Sequence, residues 1–161
     1  MTEMLEGSRG SRTRPVYRVI IVAARAFGPA CLAACDKEAL VMGGALTITV
    51  RSERGVVIAA VAGEIDISTV PQLREHLFEL ADHGATLIVD LNRVTFIDSA
   101  GLGALVGTAK RAAAHGGSLQ VACGRPKIRR LFRLTGLDCR IPLADTLDEA
   151  LEAAAAARAT F

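Results

Sequence analysis

Leu87-Ile88-Val89-Asp90-Leu91, then Val94-Thr95-Phe96-Ile97, then Asp98-Ser99-Ala100-Gly101-Leu102-Gly103 is the stretch on which the fold turns. Leu87-Ile88-Val89 is a short continuous apolar run, the mark of a strand buried on both faces. Val94–Ile97 carries the chain toward Ser99. Beyond it, Leu102, Leu105, Val106 and Ala109 recur at helical spacing until Gly116-Gly117 stops them. A buried strand running straight into an amphipathic helix is the repeating unit of an α/β sheet.

The same alternation extends in both directions. Upstream, Leu46-Thr-Ile-Thr-Val50 has period two, Arg54-Gly55 makes a tight turn, and Val56–Ala62 is a second strand, so the two form a hairpin. Thr69 followed by Gln72 reads as a capping box, with Pro71 in the first turn and Val70, Leu73, Leu77 and Leu80 on one face. Gly84 ends that helix. Downstream come a strand at Leu119–Ala122 and a helix with Ile128, Leu131, Phe132 and Thr135 inward, ending at Gly136. A short strand near Ile141 follows, then a last helix opened by Thr146-Leu-Asp-Glu149, with Leu147, Ala150, Leu151 and Ala154 inward. The alanines of 153–157 favour its continuation. The order is ββαβαβαβα: a single α/β domain with a mixed, mostly parallel sheet, an opening hairpin and four helices.

At 161 residues the chain suits one domain. Residues 1–42 do not share the pattern. Gly7-Ser-Arg-Gly-Ser-Arg-Thr-Arg14 is too polar to bury a core, so 1–42 reads as a poorly ordered extension and 43–158 as the domain. Val16–Cys35 contains an apolar run of six residues, bracketed by Arg18 and Arg25 and broken at Gly28-Pro29. A membrane span needs about 20. The net charge of +2 gives no electrostatic reason to expect nucleic acid. Cys31, Cys35, Cys123 and Cys139 have no His cluster with which to build a metal site, and read as free thiols in a reducing cytoplasm.

Several chemistries can be tested against the Ser99 stretch. Gly101-Leu-Gly-Ala-Leu-Val-Gly107 is one residue too long for a dinucleotide fingerprint and lies inside the helix. Ile97 stands where a nucleophile elbow requires glycine, and nothing in the sequence places His76, His83 or His115 beside Ser99 to act as a base. There is no Walker loop. The chain therefore reads as a binding protein without catalytic residues, cofactor or metal. Ser99 is placed to be the N-cap of its helix. Ala100, Gly101 and Gly103 leave the surrounding backbone thinly covered, either for close packing on the sheet or for the approach of another protein. Gly63-Glu64-Ile65-Asp66 sets two carboxylates where a strand becomes a loop. Lys127, Arg129, Arg130 and Arg133 lack interleaved aromatics and read as a solvated helix face.

Gly63–Asp66, Val89–Leu91, Phe96–Gly103 and Leu131-Phe-Arg-Leu-Thr-Gly-Leu137 occur in the order and spacing of the STAS domain. From about Leu46 to Ala154 the chain resembles the bacterial anti-sigma factor antagonists of that family. The resemblance implies a partner that is both an anti-sigma factor and a serine kinase, with ATP bound by that partner, and a separate serine phosphatase. It implies phosphorylation at Ser99, and a partner-binding surface on Glu64, Asp66, Asp98, Ser99, Ala100, Gly101, Leu102 and Gly103. Many members carry a second serine where this chain has Ala100. The alternative is a ligand-sensing or scaffold STAS module without sigma-factor control. A phosphate adds roughly −1.5 to −2 charges, which free N–H groups and the helix dipole tolerate at a helix N-terminus. A like charge about 6 Å away across an interface, at an effective dielectric near 20, costs about 3 kcal/mol.

Overall fold

The computed structural model describes residues 39–43 and 45–160, with side chains from 45 onward. Strands β1 (Ala39–Gly43), β2 (Leu46–Glu53) and β3 (Val56–Ile65) open the chain. They are followed by α1 (Val70–Ala81), β4 (Thr86–Ile97), α2 (Ser99–Ala114), β5 (Ser118–Ala122) and α3 (Pro126–Leu134). A 3₁₀ turn at Leu137–Cys139, β6 (Leu143–Ala144) and α4 (Leu147–Ala159) complete it.

The six strands lie in chain order, β1 to β6. β1–β2 and β2–β3 are antiparallel; β3–β4, β4–β5 and β5–β6 are parallel. This order dictates the layers. Each parallel crossover steps to the same side of the sheet, and crossovers are right-handed. The three crossover helices must then share one face. They do: Leu73 and Leu77 of α1, Leu102 and Leu105 of α2, and Ile128 and Phe132 of α3 join one core with Ile48, Val61, Val89 and Ile97. α4, which follows the last strand, covers the other face by packing Ala150, Leu151 and Ala154 on Val56, Ile58, Ile88 and Ala122.

Four expectations change. The sheet has a strand the pattern did not announce, because β1 spans the boundary drawn at 42/43; residues 1–38 lie outside the described residues. β3 continues through Gly63 and Glu64 to Ile65, where a loop was expected. It does so because β4 is one unbroken strand of 12 residues that offers partners to the end, pairing Glu64 with Phe96 and Ile65 with Ile97. Gly63 makes the extension possible. It takes φ +111° at a register shift, and a Cβ there would lie 2.0 Å from the Ala45 carbonyl oxygen. The last short strand forms at Leu143–Ala144 rather than at Ile141, which is buried in the core. Thr135 is exposed, its hydroxyl donating back to the Leu131 carbonyl at 2.7 Å, and so is not a core residue.

β5 stops at Ala122, pairing only as far as Asp90, while β4 runs on. Asn92 fixes that divergence: its side-chain oxygen accepts from the Gly124 N–H at 2.8 Å, and its carbonyl accepts from Arg125 Nε at 2.8 Å. The second half of β4 therefore projects past β5 and, among the described residues, pairs there with β3 alone. Ser99 stands at the end of this projection.

Candidate functional site

The pairing of Ile65 with Ile97 brings two turns side by side, and Asp98 N–H donates to the Ile65 carbonyl at 3.1 Å. Asp66 leads the first turn toward α1. Asp98 leads the second into α2.

At the second turn the cap differs from expectation. Asp98, not Ser99, is the N-cap of α2: its backbone is extended (φ −103°, ψ −176°) and its carboxylate accepts from the Gly101 N–H at 2.9 Å. Ser99 is the first helical residue. A Ser99 cap would take the N–H three residues on, at Leu102, and that group already donates to the Asp98 carbonyl at 3.1 Å. The serine hydroxyl is thus spared from capping and stands exposed.

The small residues behind it serve two different ends. A Cβ on Gly101 would lie 2.6 Å from Ile65 Cγ2 and 2.7 Å from Ile97 Cγ1, so the helix reaches the sheet only because that position is glycine. Around Gly103 there is nothing within 4 Å, and it is exposed. Leu102 is buried in the core and Ala100 packs against it. Gly101 and Leu102 therefore seat the helix. The surface open to another molecule is Glu64, Ser99 and Gly103, with the half-buried Asp66, Asp98 and Ala100 beside them.

At the first turn, the Asp66 carboxylate accepts from Ser68 Oγ at 2.6 Å, Ser68 N–H at 2.8 Å and Thr69 N–H at 3.1 Å. The Ser68 hydroxyl, followed by these amides, holds the Asp66 carboxyl below its ordinary value. The capping box expected at Thr69 does not form. Thr69 has helical dihedrals, and its hydroxyl turns back to donate to the Glu64 carbonyl at 3.0 Å and accept from the Asp66 N–H at 2.9 Å. The box at Thr146 does form in part: its hydroxyl accepts from Glu149 N–H at 3.2 Å, while Glu149 reaches Asp145 N–H at 2.9 Å.

Two surface residues escaped the sequence reading. Ile67, at the tip of the first turn, is 80% exposed, and Phe96 on β4 is 51% exposed. Periodicity could not have found Phe96, because Val94 and Ile97, three residues apart, are both buried and strict alternation is lost.

The histidines lie elsewhere. His115 caps the far end of α2, about 24 Å of helix from Ser99. There it sits 3.7 Å from Asp82, which also pairs with Arg111. Among the described residues no group of three or more His, Cys, Asp or Glu could hold a metal, and no helix is long and apolar enough to cross a membrane. Cys123 is buried, which pushes its thiol up, and Cys139 is exposed; Cys31 and Cys35 lie outside the described residues. On α3, Lys127, Arg130 and Arg133 are exposed, while Arg129 pairs with Asp145 and donates to the Cys123 carbonyl at 3.1 Å.

A mixed sheet with three helices on one face, one on the other, and an exposed serine opening the second helix defines an α/β domain with a polar, modifiable side chain at one end. The chain belongs to the STAS domain family, whose model matches residues 47–150. It is 40% identical over 92 residues to an anti-sigma-B factor antagonist of Bacillus subtilis, covering 57% of this chain and 84% of that protein. A crystal structure of an anti-sigma factor antagonist from Mycobacterium paratuberculosis superimposes with a TM-score of 0.61 at 34% identity, over 76% of this chain and 97% of that one. The phosphorylated form of the Bacillus cell fate determinant SpoIIAA matches with a TM-score of 0.50 at 26% identity, over 72% and 97%. These relatives are regulatory binding proteins, and membership places this chain among them rather than among enzymes.

Proposed function

We propose that this chain is an anti-sigma factor antagonist that works by partner switching. Unmodified, it binds an anti-sigma factor that is also a serine kinase, and so frees the sigma factor. The kinase, using its own bound ATP, phosphorylates Ser99 and ends the complex; a serine phosphatase restores it. The observation that carries this reading is the division of labour at the start of α2. Asp98 caps the helix, so the exposed Ser99 hydroxyl can be modified without undoing the cap. The name of the Bacillus subtilis relative and the phosphorylated form of SpoIIAA support it.

The test is to titrate the full chain with each anti-sigma kinase of its own genome, then add ATP and locate the phosphate by mass spectrometry. One kinase is expected to bind and to modify Ser99. Ser99→Ala is expected to bind as the parent does and stay unmodified, and Ser99→Asp to bind at least tenfold more weakly. Tight binding by Ser99→Asp would refute the switch.

A second reading, a ligand-sensing module, is favoured by one feature. A pocket of about 450 Å³ lies between α3 and the turn into α4, lined by Arg129, Arg133, Asp145 and Thr146 among others. Small carboxylates or phosphates that raise the melting temperature and lose that effect in Arg133→Gln would support it.

A further inference from the structure

The end of the sheet that carries Ser99 also carries two of the three exposed large apolar side chains among the described residues: Ile67 and Phe96, with Leu134 on α3 the third. Phe96 leaves half of its ring surface in water and Ile67 most of its side chain, so each keeps apolar area that the fold does not bury. Their surroundings are polarised as well. Residues 62–70 and 93–103 hold three acids, Glu64, Asp66 and Asp98, against one cation, the exposed Arg93, which pairs with Ala62 in the strand register. The Asp66 and Asp98 carboxylates are occupied within their own turns. Glu64 is exposed and lies opposite Phe96 in the strand register.

We infer that Ile67 and Phe96 are the anchors by which this surface holds its anti-sigma factor, with Glu64 setting the register. The matching face of the partner presents an apolar recess bordered by Lys or Arg. This inference rests on the function proposed above and names what the partner reads there. Protein interfaces draw most of their affinity from a few large apolar side chains set within a polar rim. The arrangement at this end of the sheet has that composition. It also explains why a phosphate on Ser99 would act so strongly. The group would enter a contact built on apolar side chains, where a dianion must shed its water.

The test uses the full chain and the anti-sigma factor that the titration above identifies. Ile67→Ser, Phe96→Ala and Leu134→Ala are each measured by calorimetry, with melting curves to confirm folding. Ile67→Ser lies in an exposed turn and is expected to fold as the parent does. Ile67→Ser and Phe96→Ala are each expected to weaken binding tenfold or more, and Leu134→Ala less than threefold. Parent-like affinity in folded Ile67→Ser and Phe96→Ala, alongside a loss in Ser99→Asp, would overturn the anchors and leave the switch standing. An equal loss in Leu134→Ala would overturn them too, since the contact would not be local to this end. A parent chain that binds no anti-sigma factor at all would overturn the proposed function and the anchors together.

Discussion

At the scale of single residues, Asp98 and Ser99 divide a task that the sequence seemed to give to one of them. Two neighbouring polar residues both suit a helix start, and pattern alone does not say which takes the extended backbone. The pairing of β3 with β4 decides it, because Asp98 N–H is drawn to the Ile65 carbonyl while its side chain faces the first turn of α2. Asp98→Ala is therefore expected to cost about 1 kcal/mol in urea unfolding, and Ser99→Ala less than about 0.5. The opposite ranking would restore the serine as the cap. Asp66 carries a pH signature instead. Its carboxyl is held below the ordinary 3.8 by the Ser68 hydroxyl and the amides of Thr69 and Ser68. Folding thus favours its charged form. The stabilisation is complete above the ordinary value and is lost as pH falls through the lowered one. Over unfolding curves from about pH 5 to pH 2, the parent is expected to lose more stability than Asp66→Asn. Parallel profiles would mean that the turn does not bind the carboxylate as drawn.

At the scale of elements, most helices and strands were legible, and the failures share one cause. α1, α2 and α4 follow apolar spacing, which local sequence displays directly. The length of β3 was not legible, because Gly63-Glu64 reads as a turn until a partner strand is known to run beside it. β1 was hidden for the same reason, being defined by its pairing with β2. The seat of α2 was only half legible. Ala100, Gly101 and Gly103 looked alike as a run of small residues, with packing and exposure as competing explanations, and each explanation holds at a different position. Gly101→Ala is expected to destabilise by about 1–2 kcal/mol, since overpacking against Ile65 and Ile97 outweighs the gain in helix propensity. Gly103→Ala, in open space, is expected to stabilise by up to about 1 kcal/mol. Denaturation midpoints of the two variants should move in opposite directions. A shift of the same sign in both would mean that Gly101 is not tight against the sheet.

For the whole molecule, the proposed switch requires that a phosphate on Ser99 change what the domain binds without changing the domain. The scaffold at Ser99 is held by contacts the phosphate does not touch: the Asp98 cap, the Gly101 approach to Ile65 and Ile97, and Leu102 in the core. A surface substitution away from such contacts shifts stability by about 0.5 kcal/mol or less, so the melting temperature of Ser99→Asp should stay within about 2 °C of the parent. The loss of binding expected of Ser99→Asp would then arise at the interface, where two causes compete. Repulsion by acids on the partner would be screened by salt, with a Debye length near 3 Å at 1 M. The cost of stripping water from an added charge against Ile67 and Phe96 would not. The chain's own surface here holds Glu64, Asp66 and Asp98 against one exposed cation, Arg93, so it stays net acidic, and a partner that docks on it is not acid-rich where they meet. Dehydration is the cause this argues for. Ser99→Asp is accordingly expected to bind at least tenfold more weakly than the parent both at about 0.1 M and at about 1 M sodium chloride. Recovery of parent affinity at the higher salt would make charge repulsion the mechanism and remove the apolar contact from around Ser99.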